Sequence, residues 1–137
     1  MQKTKITPVN FTPTMGAYSH GYAVDIAGTR TVYTTGQIAL DENSNLVSED
    51  IADQTRYVFD RIARILEDAG SSLDDAVKVQ IFVTDISDFK TISPIRNEYL
   101  AKSEPVSTLV QVGALVHPGC KIEIEAVAVS PMPDAIT

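Results

Sequence analysis

The chain has 137 residues, of which 44% are hydrophobic and 21% charged, and it carries a formal net charge of −7. This length and composition predict one globular domain, spanning residues 1–137, rather than a disordered chain. The negative charge repels phosphate backbones and no lysine–arginine cluster offsets it, so we expect no nucleic-acid partner. No apolar run reaches the roughly 18–20 residues that span a bilayer, so no membrane partner is expected.

The N-terminus and the cysteine content indicate a compartment. No apolar stretch follows Met1-Gln2-Lys3-Thr4-Lys5, which predicts that the chain has no signal peptide. The single cysteine, Cys120, excludes an internal disulfide and fits a reducing cytosol. Nothing in the sequence marks His20 or His117 as a general base for the Cys120 thiol, so we interpret Cys120 as structural. The sequence therefore predicts a cytoplasmic protein.

The first half of the chain predicts a hairpin and a helix. Strands are indicated over residues 22–28 and 31–40, with a turn at Gly28-Thr29-Arg30 between them. A helix follows Asp50, a residue type that caps helix N-termini, and Gly70 stops it. Apolar residues within this helix fall mostly at three- and four-residue spacings, which predicts one buried stripe.

The second half of the chain again alternates between the apolar spacing of a strand and that of a helix. A strand is predicted over residues 76–84 and a helix over 87–102, whose regular part begins close to Pro94 because proline is disruptive beyond the first turn. Strands over 107–115 and 121–129 follow, with a turn at His117-Pro118-Gly119. The order is ββαβαββ, which predicts an α+β fold with a mixed sheet and both helices on one face.

The last strand predicts an oligomer. One side of it carries Ile122, Ile124, Ala126 and Ala128, and the other carries Glu123, Glu125, Val127 and Val129. Because both sides contain apolar residues, both are expected to be at least partly buried. Two helices can cover only one of them, so the other face needs another subunit.

Four motifs occur in a fixed order: Gly-x-Tyr-x-x-Gly at 16–21, Thr-Gly-Gln at 35–37, Asp-x-x-Asp-Phe at 85–89 and Ile-Glu-Ile-Glu-Ala at 122–126. With residues 104–109 they resemble the RidA/YjgF family of small trimeric proteins, many of which hydrolyse enamines and imines. The resemblance covers nearly the whole chain. It implies a chorismate-mutase-like fold, a homotrimer, and a small-molecule ligand bound in intersubunit pockets without a cofactor.

The resemblance also implies roles for four residues. The glutamate that helps hold the attacking water in deaminating relatives corresponds to Glu123. The tyrosine near the N-terminus corresponds to Tyr18, and the Ser/Thr-Gly pair that shapes the cavity corresponds to Thr35-Gly36. Each residue also has a structural interpretation. Tyr18 can be a packed aromatic in a turn, Gly36 can permit a bulge, and Glu123 can be a carboxylate paired with Lys121 or a backbone donor.

Three further positions depart from the family pattern. Where deaminating members carry the arginine that binds the substrate carboxylate, this chain has Ser107, which indicates a subgroup lacking that arginine. A cysteine position two residues further on is Leu109, and an asparagine position in the second helix is Ser93. A serine hydroxyl offers one hydrogen bond instead of the bidentate clamp of a guanidinium. Lys121 and Arg96 remain open as cations that replace the arginine.

The leading hypothesis is a cofactor-free hydrolase of enamines or imines in which Glu123 orients water. The pocket around it would be formed by Tyr18, Thr35, Gly36, Ser107, Leu109 and Ser93. Ser107 predicts poor activity on small imino acids such as iminopyruvate and 2-aminoacrylate. The alternative is a trimer that binds a small metabolite without turning it over. Ribonuclease activity is disfavoured by the net charge. No His/Cys/Asp cluster indicates a metal, and no glycine-rich loop after a strand indicates a nucleotide.

Overall fold

A computed structural model describes residues 1–133 as one six-stranded mixed sheet with two helices; residues 134–137 of the predicted domain lie outside the described residues. The strands are β1 (Gln2–Ile6), β2 (Gly21–Ile26), β3 (Thr29–Thr34), β4 (Ala76–Val83), β5 (Val106–Gln111) and β6 (Ile122–Pro131). The helices are α1 (Ile51–Asp68) and α2 (Phe89–Tyr99), with short 3-10 turns at Leu73–Asp75 and Ile86–Asp88. No helix among residues 1–133 is long and apolar enough to cross a membrane.

The strands lie side by side in the order β1-β2-β3-β6-β4-β5. All neighbours are antiparallel except β4 and β5, which are parallel and are joined through α2. The α+β prediction is confirmed, but the predicted order ββαβαββ is wrong in lacking β1. Only Ile6 of that strand is buried, so side-chain periodicity gave no signal. Backbone pairing with β2 makes β1 a strand, and its exposed lysines suit a sheet edge.

Helix α1 follows the prediction closely. The Asp50 side chain accepts a hydrogen bond from the Asp53 amide at 3.0 Å, and Gly70 ends the helix with φ of 77°. Most of the predicted apolar stripe is buried, mainly against β6 and α2, whereas Ile51 and Tyr57 are only partly buried. Its buried members include Val58, Phe59, Ile62, Ile65 and Leu66.

The regular part of helix α2 begins earlier than predicted, within the bounds of 87–102 given for the whole segment. It starts at Phe89, directly after the 3-10 turn, and Pro94 occupies its sixth position with an exposed ring. Proline lacks the amide hydrogen for one helical bond, but Ile92 and Ile95 on either side of it are buried. Burial of these two side chains holds the segment in one helix, which places its regular part before Pro94 as well as after it.

The second face of the sheet is open in a single chain. The face away from the helices carries Tyr33, Val106, Val110 and Val129, and the first two are 49% and 68% exposed. The strand registers place Glu123 and Glu125 on this same face, opposite Phe82 and Gln80. The polypeptide thus leaves a surface of mixed apolar and acidic character uncovered, as the alternation in the last strand predicted.

Candidate functional site

A pocket of about 340 Å³ lies where segment 12–20 meets the end of β3 and the start of β6. Four predicted site residues line it together: Tyr18, Thr35, Gly36 and Glu123. The remaining walls come from the same segment, from the residues after Gly36 and from Val116. A volume of this size is at the lower end of ligand pockets in proteins.

Backbone hydrogen bonds fix the segment after β3. The Thr35 amide donates to the His20 carbonyl at 2.8 Å, and its hydroxyl donates to the Ser19 carbonyl. Gln37 then exchanges two backbone bonds with Ile124, at 2.8 and 3.1 Å. The residue between these two anchors, Gly36, is therefore held directly against the start of β6.

Gly36 gives the Glu123 carboxylate its room. A Cβ atom on Gly36 would fall 2.8 Å from Cδ and 2.9 Å from Cγ of Glu123, and closer still to Oε2. Real Cβ atoms do not approach other heavy atoms so closely. The glycine is therefore explained by the close approach of its backbone to the Glu123 side chain.

Replacing Gly36 by alanine is expected to displace the Glu123 carboxylate and lower imine turnover or ligand affinity by tenfold or more, the scale of a lost acid–base group. The added methyl group would occupy the space of the carboxylate. Gly113→Ala is the matched control, because a Cβ there meets nothing within 4 Å in the chain. Steady-state kinetics on both variants checks this. Equal activity in the two variants contradicts the geometry described for Glu123.

The Glu123 carboxylate is half-buried and lacks a protein partner. Burial raises its pKa above the ordinary value of 4.5, and the negative charge of Glu125 raises it further. Within residues 1–133, no side chain or backbone amide donates a hydrogen bond to it. Lys121, one of the partners considered for a structural Glu123, instead donates to the Glu49 carbonyl at 2.6 Å. A half-buried carboxylate without a protein donor needs water or a ligand to satisfy it.

Segment 12–20 places Tyr18 at the mouth of the pocket. The Tyr18 hydroxyl accepts a hydrogen bond from the Met15 amide at 2.9 Å, and the residue is 47% exposed. Sequence reasoning missed His20, which is buried, lines the pocket, and donates from Nε2 to the Thr12 carbonyl at 2.7 Å. The signal for it was its place between Tyr18 and Gly21 in the Gly-x-Tyr-x-x-Gly motif.

The other three predicted residues lie apart from this pocket in the single chain. Ser107 pairs with Val79 and so lies on the helix-covered side of the sheet, whereas Glu123 pairs with Phe82 on the open side. Leu109 is partly buried against the core. Ser93 lies on α2. Their roles in a site remain predictions that depend on a second subunit.

Neither the cysteine nor a metal cluster offers an alternative centre for chemistry within residues 1–133. Burial raises the pKa of the Cys120 thiol, which disfavours the thiolate at neutral pH. No three His, Cys, Asp or Glu side chains among residues 1–133 are placed to hold a metal ion. The role of Glu123 in proton transfer stays a prediction.

The fold and the pocket define a class of small α+β proteins with a ligand-sized cavity at the end of the central strands. The sequence profile described as "Endoribonuclease L-PSP" matches residues 10–130. The chain is 37% identical to the human 2-iminobutanoate/2-iminopropanoate deaminase over 116 residues, which cover 84% of the chain and 81% of that protein. It is 38% identical over 129 residues to the 3-aminoacrylate deaminase RutC of Acinetobacter baylyi, covering 93% and 98%.

Solved structures agree with these relatives. The crystal structure of yeast YEO7 superposes with a TM-score of 0.85 at 30% identity, covering 96% of this chain and all of that one. The YjgF gene product of E. coli superposes with a TM-score of 0.79 at 32% identity, covering 92% and 98%. The chain therefore belongs to the RidA/YjgF family.

Proposed function

We propose that the protein is a cofactor-free hydrolase of enamines or imines, and that Glu123 orients and activates the attacking water. The observation that supports this is the half-buried Glu123 carboxylate, which has a raised pKa, faces the pocket beside Gly36 and lacks a hydrogen-bond donor within residues 1–133. A carboxylate in such an environment can take and return a proton near neutral pH.

The proposed reaction needs one water and one proton-transfer group. The Glu123 carboxylate accepts a proton from water while the water oxygen bonds to the C=N carbon, and it then passes that proton to the nitrogen, which gives a carbinolamine. In the second step Glu123 accepts the hydroxyl proton of the carbinolamine as the carbonyl forms and the C–N bond breaks. The same proton is delivered to the departing nitrogen, which leaves as ammonia, and Glu123 is again a carboxylate. An enamine first takes a proton on carbon to become the imine, so both substrate types share the hydrolytic step.

Two named relatives support the proposed deaminase reaction, and Ser107 limits which imines we expect the protein to hydrolyse well. The human and Acinetobacter relatives are named as deaminases of imino and aminoacrylic acids. This chain has Ser107 where the family pattern places the carboxylate-binding arginine, so we propose that 2-aminoacrylate and iminopyruvate are poor substrates for it. The profile description names an endoribonuclease, but a net charge of −7 opposes RNA binding.

The test uses imines generated in situ, acidic 2-imino acids from amino acids by an amino-acid oxidase and neutral imines from primary amines by an amine oxidase, with decay of the C=N group followed in the presence and absence of the protein. Acceleration of at least one imine, lost in Glu123→Gln, supports the hydrolase. The panel includes both acidic and neutral imines because the substrate's charge is the unknown property. No acceleration across the panel contradicts the proposal.

A second candidate is a trimer that binds a small metabolite without turning it over. The observation that favours it is the joint departure of Ser107, Leu109 and Ser93 from the pattern of deaminating members. Saturable binding of a carbonyl product, without acceleration of the corresponding imine, distinguishes this candidate from the hydrolase. For either function we propose action in the reducing cytosol, consistent with a single, buried cysteine.

We further propose a homotrimer with its pockets between subunits. The uncovered face that carries Tyr33, Val106, Val110 and Val129 supports burial by another copy of the chain. Light scattering at micromolar concentration is expected to give a mass near three times 14.8 kDa. A monomer under these conditions overturns both the trimer and the intersubunit pocket.

A further inference from the structure

The cleft around Ser107 contains a cation. It has a volume of about 600 Å³ and lies between the C-terminal half of α2 and the start of β5, with Arg96 and Ser107 both in its lining. It shares no lining residue with the Glu123 pocket of the same chain. An arginine at position 107 would extend into this cleft, whereas serine leaves the space open.

The Arg96 guanidinium has five N–H donors, and it makes two hydrogen bonds within residues 1–133. It donates from Nη2 to the Ser93 hydroxyl at 3.2 Å and from Nε to the Asn97 side-chain oxygen at 3.4 Å, and both bonds are long. The other four arginines each have a carboxylate or a backbone carbonyl acceptor: Asp25 for Arg30, Glu98 for Arg56, the Leu40 carbonyl for Arg61, and Asp68 with the Val9 carbonyl for Arg64.

Within residues 1–133, no neighbouring carboxylate forms an ion pair with Arg96. Glu104 lines the same cleft but forms no ion pair with Arg96 within 4.0 Å. Lys121, the other cation that the sequence left open, lines neither pocket, and its ammonium group donates to the Glu49 carbonyl at 2.6 Å. A half-buried guanidinium with free donors is the group best suited to hold a carboxylate in two parallel hydrogen bonds.

We propose that Arg96 binds the carboxylate of the ligand in this chain, with the Ser107 hydroxyl as a neighbouring donor. Deaminating relatives supply this guanidinium from the position of Ser107 on strand β5, whereas here helix α2 would supply it. The cleft that Arg96 lines is larger than a three-carbon acid fills. The ligand class is therefore a carboxylate-bearing carbonyl compound or imine with a side chain bigger than that of pyruvate. The link from this cleft to the Glu123 of a neighbouring subunit rests on the proposed function; the carboxylate site itself does not.

The experiment measures binding of 4-methyl-2-oxopentanoate and of its neutral methyl ester by isothermal titration calorimetry. The wild-type chain is expected to prefer the acid, and Arg96→Gln to lose about tenfold to a hundredfold of affinity for the acid with little change for the ester. Lys121→Gln is the matched control and is expected to keep the preference. Arg96→Lys, which retains charge without the fork, is expected to recover part of the loss.

Three results overturn the inference: no binding of the acid, equal binding of acid and ester, or an unchanged preference in Arg96→Gln. Turnover is scored separately, so the two proposals fail in different ways. A chain that binds the acid through Arg96 but hydrolyses no imine contradicts only the hydrolase. A chain that hydrolyses acidic and neutral imines equally well, with or without Arg96, contradicts only the role of Arg96.

Discussion

Glu123→Gln is expected to reduce turnover or ligand affinity by tenfold or more while the melting temperature changes little. Glutamine keeps the shape of the side chain but removes the charge and the exchangeable proton on which general acid–base catalysis depends. Because burial raises the pKa of Glu123, wild-type turnover is also expected to rise with pH as this carboxyl group loses its proton. The variant is expected to lack that rise.

Glu125→Gln is the matched control for this experiment. It removes the same charge two residues along the same strand and face, from an exposed side chain outside the pocket lining. If Glu123 is instead a structural carboxylate, Glu123→Gln should lower the free energy of unfolding by about 1–3 kcal/mol and leave ligand binding intact. That outcome removes Glu123 from the site, and with it the main support for a hydrolase.

The protein is expected to accelerate iminopyruvate hydrolysis roughly tenfold to a hundredfold less than a relative with arginine at the position of Ser107. Arg96 lies on α2 in a cleft larger than a three-carbon acid fills, so this small substrate is expected to lose the charge-assisted contact with its carboxylate. Such a contact contributes about 1.5–3 kcal/mol, and its loss lowers transition-state stabilisation by the corresponding factor. Freshly generated 2-aminoacrylate, which tautomerises to iminopyruvate, supplies the substrate in a coupled assay. Rates equal to those of the relative contradict the importance assigned to this substitution.

Ser107→Arg extends the same test to this chain. The side chain has room to enter the cleft beside Arg96, so the variant is expected to gain activity on iminopyruvate without loss of folding. Ser107→Gln supplies length and hydrogen bonding without the charge, and is expected to gain little. If both variants gain equally, filling of the cleft rather than carboxylate binding limits the wild-type chain.

Local sequence determined the parts of the fold whose signals lie within one element. Helix α1 has its cap at Asp50 and its stop at Gly70, and both functions depend on side chains next to the backbone groups they satisfy. In β6, Ile122 and Ile124 alternate with Glu123, and the buried and open faces follow that alternation. The motifs also indicated Tyr18, Thr35, Gly36 and Glu123, which the structure gathers at one pocket.

Tertiary structure decided what depends on contacts between distant segments. Strand β1 forms because its backbone pairs with β2. Four of its five side chains are polar, so their pattern does not predict a strand. The reason for Gly36 appeared only when β6 placed the Glu123 carboxylate beside it. Likewise, our proposal of Arg96 rather than Lys121 depends on contacts between distant residues, because the Lys121 ammonium donates to the Glu49 carbonyl, whereas Arg96 lines an open cleft with Ser107. Long-range packing selects among side chains that sequence periodicity treats as equivalent.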